Sequence, residues 1–480
     1  MSSTFGALNT AFSGLTAARQ GLNVVGQNIA NVNSEGYTRQ RVTTSAINAS
    51  VGLFSGIARP GQGVSVDGVA RLGDAFLDAR VRTTTADAGY ASVRASALGA
   101  IEDGTHEPGA DGISAKLQAF WNGWGAMSNN PGDPASAQVL LAAANSLTSQ
   151  ISSGYSDLET QWSQTRDQAA GMVTSLNGAA SQVAKLNTTI KSTLAAGGDA
   201  NELIDQRNVL TTSIASLAGG TVKDAGDGTV DVYVGGNSLV SGGTANGVAL
   251  TGSDSLSGLV AGSGTVQLQW TTGSKSTLNL DGGQLAGAIS VLAPANSAKG
   301  DGTGTGGVIA EAADAYNELA RTLSAKVNDV HSAGQTSTGA TNLAFFQLAT
   351  TGPAAQGLTV VPQDVTGIAT GAAGSGNLDG SNADKMSQLG TATGSPDSVW
   401  ASFVTKTGST SAAEQQHSKL ADASATSATA MQASGASVDL DEESMNMLTY
   451  QHAYQAAARV MTAVDDMLDT LINKTGLVGR

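Results

Sequence analysis

Between Ser3 and Ile29 the large apolar residues fall three and four positions apart or at multiples of that spacing, at Phe5, Leu8, Phe12, Leu15, Leu22 and Ile29. Arg19 and Gly26 interrupt one column of this pattern, and the other stays apolar. A stripe of two columns is the narrow seam of a coiled coil, thinner than the face of a helix that lies on a globular core. It predicts one helix of roughly 40 Å, closed by "NVNSEGY" with Gly36 as its left-handed terminator. The other end of the chain repeats the design. Asp439 and Glu442 stand in capping-box spacing, and acids crowd the first turn that follows. One column then holds Met447, Tyr454, Met461 and Leu468, and the next holds Tyr450, Ala457, Val464 and Leu471. These two seams, at opposite ends of one chain, are expected to pair with each other.

The pattern between them changes twice. From about residue 75 to 218 amphipathic periods predict long helices that bundle, broken at "PGDP" (131–134). From Gly219 to Gly307 roughly a quarter of the residues are glycine, too many for helix interiors. Alternations such as "TVDVYV" (229–234) and "TVQLQW" (265–270) predict short strands there. Helical periodicity returns from Val308 to Gly334 and again from about Pro396 to Ser434, with a Gly/Thr-rich region and a short strand at "LTVVPQ" between them. The expected fold is therefore α+β and multidomain. Residues 1–40 and 437–480 form a terminal coiled coil, and 219–287 an inserted Gly-rich β domain. Residues 41–218 and 288–436 are mainly helical, with short β or loop regions near 42–72 and 335–385.

Composition narrows the chemistry. A formal charge of −15 with no basic block disfavours nucleic acid and anionic lipid as partners. The absence of cysteine removes disulfides, thiolate metal sites and cysteine nucleophiles. No run approaches the about 18 apolar residues of a membrane span, and the N-terminus lacks a leader's basic start and apolar block, so if the protein leaves the cell, a route without a cleaved signal peptide is expected.

"GTGTGG" (302–307) matches a phosphate-loop pattern, but no strand leads into it, and a loop is expected. The four histidines, His106, His331, His417 and His452, show no metal-ligand spacing, and surface positions are expected for them. Acid pairs such as Glu442/Glu443 read as caps and solvated faces, because neighbouring helix positions diverge by about 100°. Trp121 and Trp124 read as bundle core. With no nucleophile, base and oxyanion set, neither an enzyme nor a cofactor site is expected.

"ALNTAFSGLTAARQGLNVVGQNIANVNSEGYTRQRV" (7–42) resembles the N-terminal signature of the axial proteins of the bacterial flagellum, with Asn28, Asn31, Gly36 and Tyr37 as its motif residues. "VDLDEESMNMLTYQHAYQAAARVMTAVDDMLDTLIN" (438–473) resembles their C-terminal signature. Segments 119–151 and 202–242 resemble the hook-associated protein 1 family. That resemblance implies an extracellular structural subunit of the hook–filament junction, secreted by the flagellar type III route. It implies self-assembly into a ring or tube layer, hook protein on one side and hook-associated protein 3 on the other. It also implies a cytoplasmic chaperone that holds the C-terminal helix. The apolar residues named above in both seams are then the expected assembly interface. The alternatives are hook-associated protein 3 or a hook-type protein and, in another class, a secreted adhesin or glycan-active protein.

Overall fold

Short polar residues set where the long helices begin. The computed structural model describes residues 4–47, 61–273, 275–296, 305–470 and 472. It opens with α1 (Thr4–Ala30) and an antiparallel ribbon of β1 (Gln40–Ala46) and β2 (Val64–Arg71). Asp74 caps α2 (Ala75–Gly104) by accepting from the amides of Phe76 and Leu77. After α3 (Ile113–Asn129), Asp133 caps α4 (Pro134–Ala195), whose leading proline lacks an N–H where the helix would leave one unused. With 62 residues α4 is the spine of the molecule, and α5 (Asn201–Ala218) folds back along it.

The glycine-rich stretch forms two antiparallel sheets. One holds β3 (Thr221–Asp224), β4 (Val230–Val234), β5 (Asn237–Ser241) and β6 (Thr244–Ala245). The other holds β7 (Val248–Thr251), β8 (Gln267–Trp270) and β9 (Thr277–Leu278), with the short α6 (Leu256–Val260) between β7 and β8. In β4 the period of two is direct: Val230, Val232 and Val234 are buried, and Asp231 and Tyr233 are half-buried.

Two asparagines of α4 fasten these sheets to the spine. Asn177 donates to the Val248 carbonyl (2.8 Å) and accepts from the Val248 amide (2.9 Å). Asn187, fully buried, donates to the carbonyls of Val230 and Gly242 and accepts from the Val230 amide and from Arg207. A side-chain amide reproduces a backbone pair, so each sheet gains a strand-like partner on a helix.

The chain then re-enters the helical body with α7 (Gly283–Leu292), packed on α2, and α8 (Val308–Ser332). Short elements follow: β10 (Gly334–Gln335), β11 (Phe346–Leu348), α9 (Ala354–Gly357), β12 (Leu358–Val360), β13 (Gly371–Ala372) and α10 (Ser381–Ser387). β10 pairs with β13 and β11 with β12. Ser395 caps α11 (Pro396–Ala436), which lies along α2, and Asp439 caps α12 (Leu440–Asp469), which lies along α1. The core is continuous through the body: Trp124, Trp162, Trp400, Phe120 and Phe345 are all buried within it.

His331 is not a surface residue. It is fully buried at the end of α8, beside the rings of Trp124 and Phe345. Its Nδ1 lies 2.8 Å from the Leu343 carbonyl, and its Nε2 accepts from the Ala369 amide at 3.0 Å. A neutral imidazole supplies one donor and one acceptor, which ties two loops to the helix. Burial pulls its pKa down, against the bond to Leu343. His106, His417 and His452 are exposed. Part of "GTGTGG", residues 302–304, lies outside the described residues. The amides of Gly306 and Asn296 both donate to the Glu311 carboxylate, so a negative charge already sits where a phosphate would. Trp121 and Trp124 are in the core, as expected.

His331 binds its proton more readily in the unfolded chain than in the folded one. Its contribution to stability is therefore complete above a pH of about 6.5 and is lost as pH falls below that value. Calorimetry is expected to show the Tm of the helical body dropping from about pH 7 to pH 5. His331→Gln, which keeps a donor and an acceptor, is expected to flatten most of that drop; an unchanged pH slope would contradict the assignment.

Candidate assembly interface

The terminal helices run antiparallel. Asn28 lies opposite Glu443, and Gly21 lies under Tyr450, so closely that a Cβ at Gly21 would stand 2.5 Å from the Tyr450 ring. The buried residues of α1 are Ala11, Ala18, Gly21, Val24, Val25 and Asn28. Nearly all lie one residue before the columns expected from the sequence, which turns the contact face by about 100°. The physical reason is bulk. The pairing face uses alanine, glycine and valine so that the backbones approach, whereas the apolar stripe was traced through the largest side chains.

Those large side chains are left toward the outside. Phe5 and Phe12 are 69% and 57% exposed, and Leu8, Leu15, Leu22 and Ile29 are half-buried along the flank. On α12 the expected columns are the least exposed ones: Val464 is buried, Met447, Tyr450, Ala457, Met461 and Leu468 are half-buried, and Tyr454 is at the rim. Leu471 lies outside the described residues. A second apolar set on α12, Met445, Leu448, Val460 and Met467, is turned to solvent.

A polar hub closes the base of this helix pair. Asn28 is buried with all its bonds made. Its Nδ2 donates to the Gln40 carbonyl (2.9 Å) and to Glu443 Oε2 (3.0 Å), and its Oδ1 accepts from the Gln40 amide (3.0 Å) and the Tyr37 hydroxyl (2.8 Å). Glu443, also buried, accepts from Arg39 Nε and Nη2, each at 2.8 Å, while Arg39 Nη1 reaches the exposed Glu442 at 2.6 Å. Glu443 is thus a buried ion-pair partner and not a solvated face. Burial, together with the carboxylates of Glu202, Asp205 and Glu443, pushes the Tyr37 hydroxyl up to about 12, which keeps it a hydrogen-bond donor.

A second buried carboxylate carries the hub into the body. Asp205 on α5 accepts from the Thr38 amide (3.0 Å) and from Arg71 Nε (2.8 Å). Arg71 and Gln40 face each other at the end of the β1–β2 ladder, so the ribbon's register delivers both residues to the hub. Asn31 donates to the Gln27 carbonyl and accepts from Ser34, which shapes the turn after α1. Gly36 has φ +73°, and a Cβ there would collide with Val209 of α5. All four motif residues therefore have work in the turn or the hub. Arg39 and Glu443 are separated by most of the chain, and no local pattern marks them as a pair.

Comparison with known proteins places this geometry. The family model described as "Flagellar hook-associated protein FlgK helical domain" matches residues 98–346, just over half of the chain. The chain belongs to the FlgK family of flagellar hook-associated proteins. Models described as "Flagella basal body rod protein" and "Flagellar basal body rod FlgEFG protein C-terminal" match residues 8–38 and 432–474, the two segments that supply α1 and α12. Flagellar hook-associated protein 1 of Bacillus subtilis is 29% identical along the whole of both chains. Its namesake from Salmonella typhimurium is 32% identical over 245 residues, 50% of this chain and 44% of that one. The structure of the flagellar hook junction protein FlgK from Burkholderia pseudomallei matches in fold at a TM-score of 0.62 and 14% identity, over 73% of this chain and 99% of the other. As a FlgK-family member, the protein is a structural component of the hook–filament junction, in the extracellular flagellum, and the family is not a class of enzymes. Among the described residues no helix is long and apolar enough to cross a membrane, and no acid or histidine cluster could hold a metal ion.

Arg39→Ala leaves a buried carboxylate without its counter-charge, which is expected to weaken docking of the helix pair by about 3–5 kcal/mol. Amide exchange in α12 should then rise by a factor of roughly 100 or more, with exchange in α2–α8 unchanged. Equal protection of α12 in parent and variant would mean that the ion pair does not hold the helix.

Proposed function

We propose that the protein forms the hook-proximal layer of the hook–filament junction by packing its terminal helices as coiled coils against those of other copies. The observation that carries this reading is the outward placement of large apolar side chains on a helix pair whose inner contact is already made. Phe12 of α1 and Met445, Leu448 and Met467 of α12 are all more than half exposed. Such surfaces are costly in a lone soluble chain, and a closed ring of identical subunits covers them. In this reading Phe5, Leu8, Leu15, Leu22 and Ile29 line the contact of α1 with a neighbour. The line from Met447 to Leu468 stays within the subunit. The layer meets hook protein on one side and hook-associated protein 3 on the other. Before export, a cytoplasmic chaperone covers the apolar side of the C-terminal helix.

Phe12→Asp combined with Met445→Asp places charges where this packing would bury them, away from the α1–α12 contact. The variant is expected to fold with the parent's Tm, to be secreted, and to fail to incorporate at hook tips, so that cells lose motility and shed filament subunits into the medium. Normal swimming, with the variant present at the junction, would rule the packing out.

A further inference from the structure

We infer that the outer side of the α2–α11 pair is a contact for a second copy of this chain. A cleft of about 510 Å³ opens between α2, α7 and α11, lined by Tyr90, Leu280, Ala286 and Leu420 and by the exposed acids Asp87 and Asp281. Leu420 is itself 60% exposed. From it a stripe runs along α11 at coiled-coil spacing: Leu420, Ser424, Ser427, Met431 and Ser434 lie four and three residues apart, and all are exposed. The buried residues of α11 in this half are Ala421 and Ala428, so the stripe lies off the seat of α11 on α2. No charged residue occurs from Ala423 to Val438. Near the far end Phe76 of α2 is 88% exposed and Met431 47%, both within two residues of the Asp78–Gln432 bond that ties the helices. Large apolar side chains at both ends of a cleft and an uncharged stripe make a surface that water covers poorly.

The occupant follows from place and size. α12 begins at Leu440, just beyond Ser434, and its exposed Met445 and Leu448 are among the side chains that the proposed layer buries. A neighbour that covers them reaches α11 next. The stripe alone, about 21 Å long and about 10 Å wide, offers on the order of 200 Å², whereas a stable complex needs about 800 Å² per partner. It therefore does not hold two free chains together. Within a layer the terminal contacts keep the neighbour at hand, and a small surface then counts because the effective concentration is high. A second copy meets that condition, and a partner arriving from solution does not. The inference rests on the layer proposed above and adds the helical body to its contacts.

The chain contains no cysteine, so an introduced thiol reports from one place. With Ser427→Cys, maleimide is expected to label the purified full-length monomer and to lose that labelling once the chain is built into isolated hook–filament junctions. In a second variant the photoreactive benzoylphenylalanine replaces Ser427, and this variant is made beside an excess of unaltered chain. Illumination of the junctions is expected to give a product of twice the chain's mass, with the crosslink mapped to another copy. A crosslink to hook protein or to any other component would overturn the inference. So would persistent labelling at Ser427 in the junction; if Met445→Cys is protected there, the terminal packing stands and only the contact of the body falls. Labelling of both positions in the junction would count against both readings.

Discussion

A carboxylate taken out of water must find its full set of partners, and this requirement at Glu443 organises the molecule. Arg39 supplies the opposite charge and Asn28 the remaining strong hydrogen bond, so the start of the chain, its turn into the first ribbon and its last helix are fixed at one point. Asp205 repeats the arrangement a short distance away, with Arg71 and the Thr38 amide as partners. The segment from Tyr37 to Gln40 lies between the two carboxylates and contacts both. A helix pair with a thin apolar contact is thereby joined to a body with a large one.

The body is built on a different principle. α4 gives it length, and the sheets, which have little core of their own, are attached to that helix by side-chain amides that imitate backbone. Their alternating valines then close onto the same continuous core as the tryptophans of α3, α4 and α11. The glycines that exclude helix from this stretch allow the tight turns between its short strands.

Much of this was legible in the sequence because it is local. Helix starts could be read from Asp133 with Pro134, from Pro396 and from Asp439, since a cap acts within three residues. The strands at Val230–Val234 and Gln267–Trp270 followed from alternation. The errors have one origin: they depend on what a residue meets far away in the chain. The pairing face of α1 lay one residue from the expected line because small residues carry it. Glu443 looked like a cap residue because Arg39 is remote, and His331 looked solvated because the loops it joins show no periodicity. Asn28 was picked out only by resemblance, with no hint of the four bonds it makes.

The antiparallel pair formed by α1 and α12 is clamped at its base by the hub and propped further along by the β1–β2 ribbon, where Ser13 accepts from the Val64 amide. Every polar bond described in the hub is at the end near Asn28 and Glu443, and beyond it the buried contact of α1 runs through the small side chains of Ala18 and Ala11. Mechanically this is a beam clamped at one end and propped part-way along, and it bends most easily beyond the prop. A load applied at the tip becomes torque at the clamp, where it meets two buried ion pairs, while the long helices between transmit the moment with little deformation of their own.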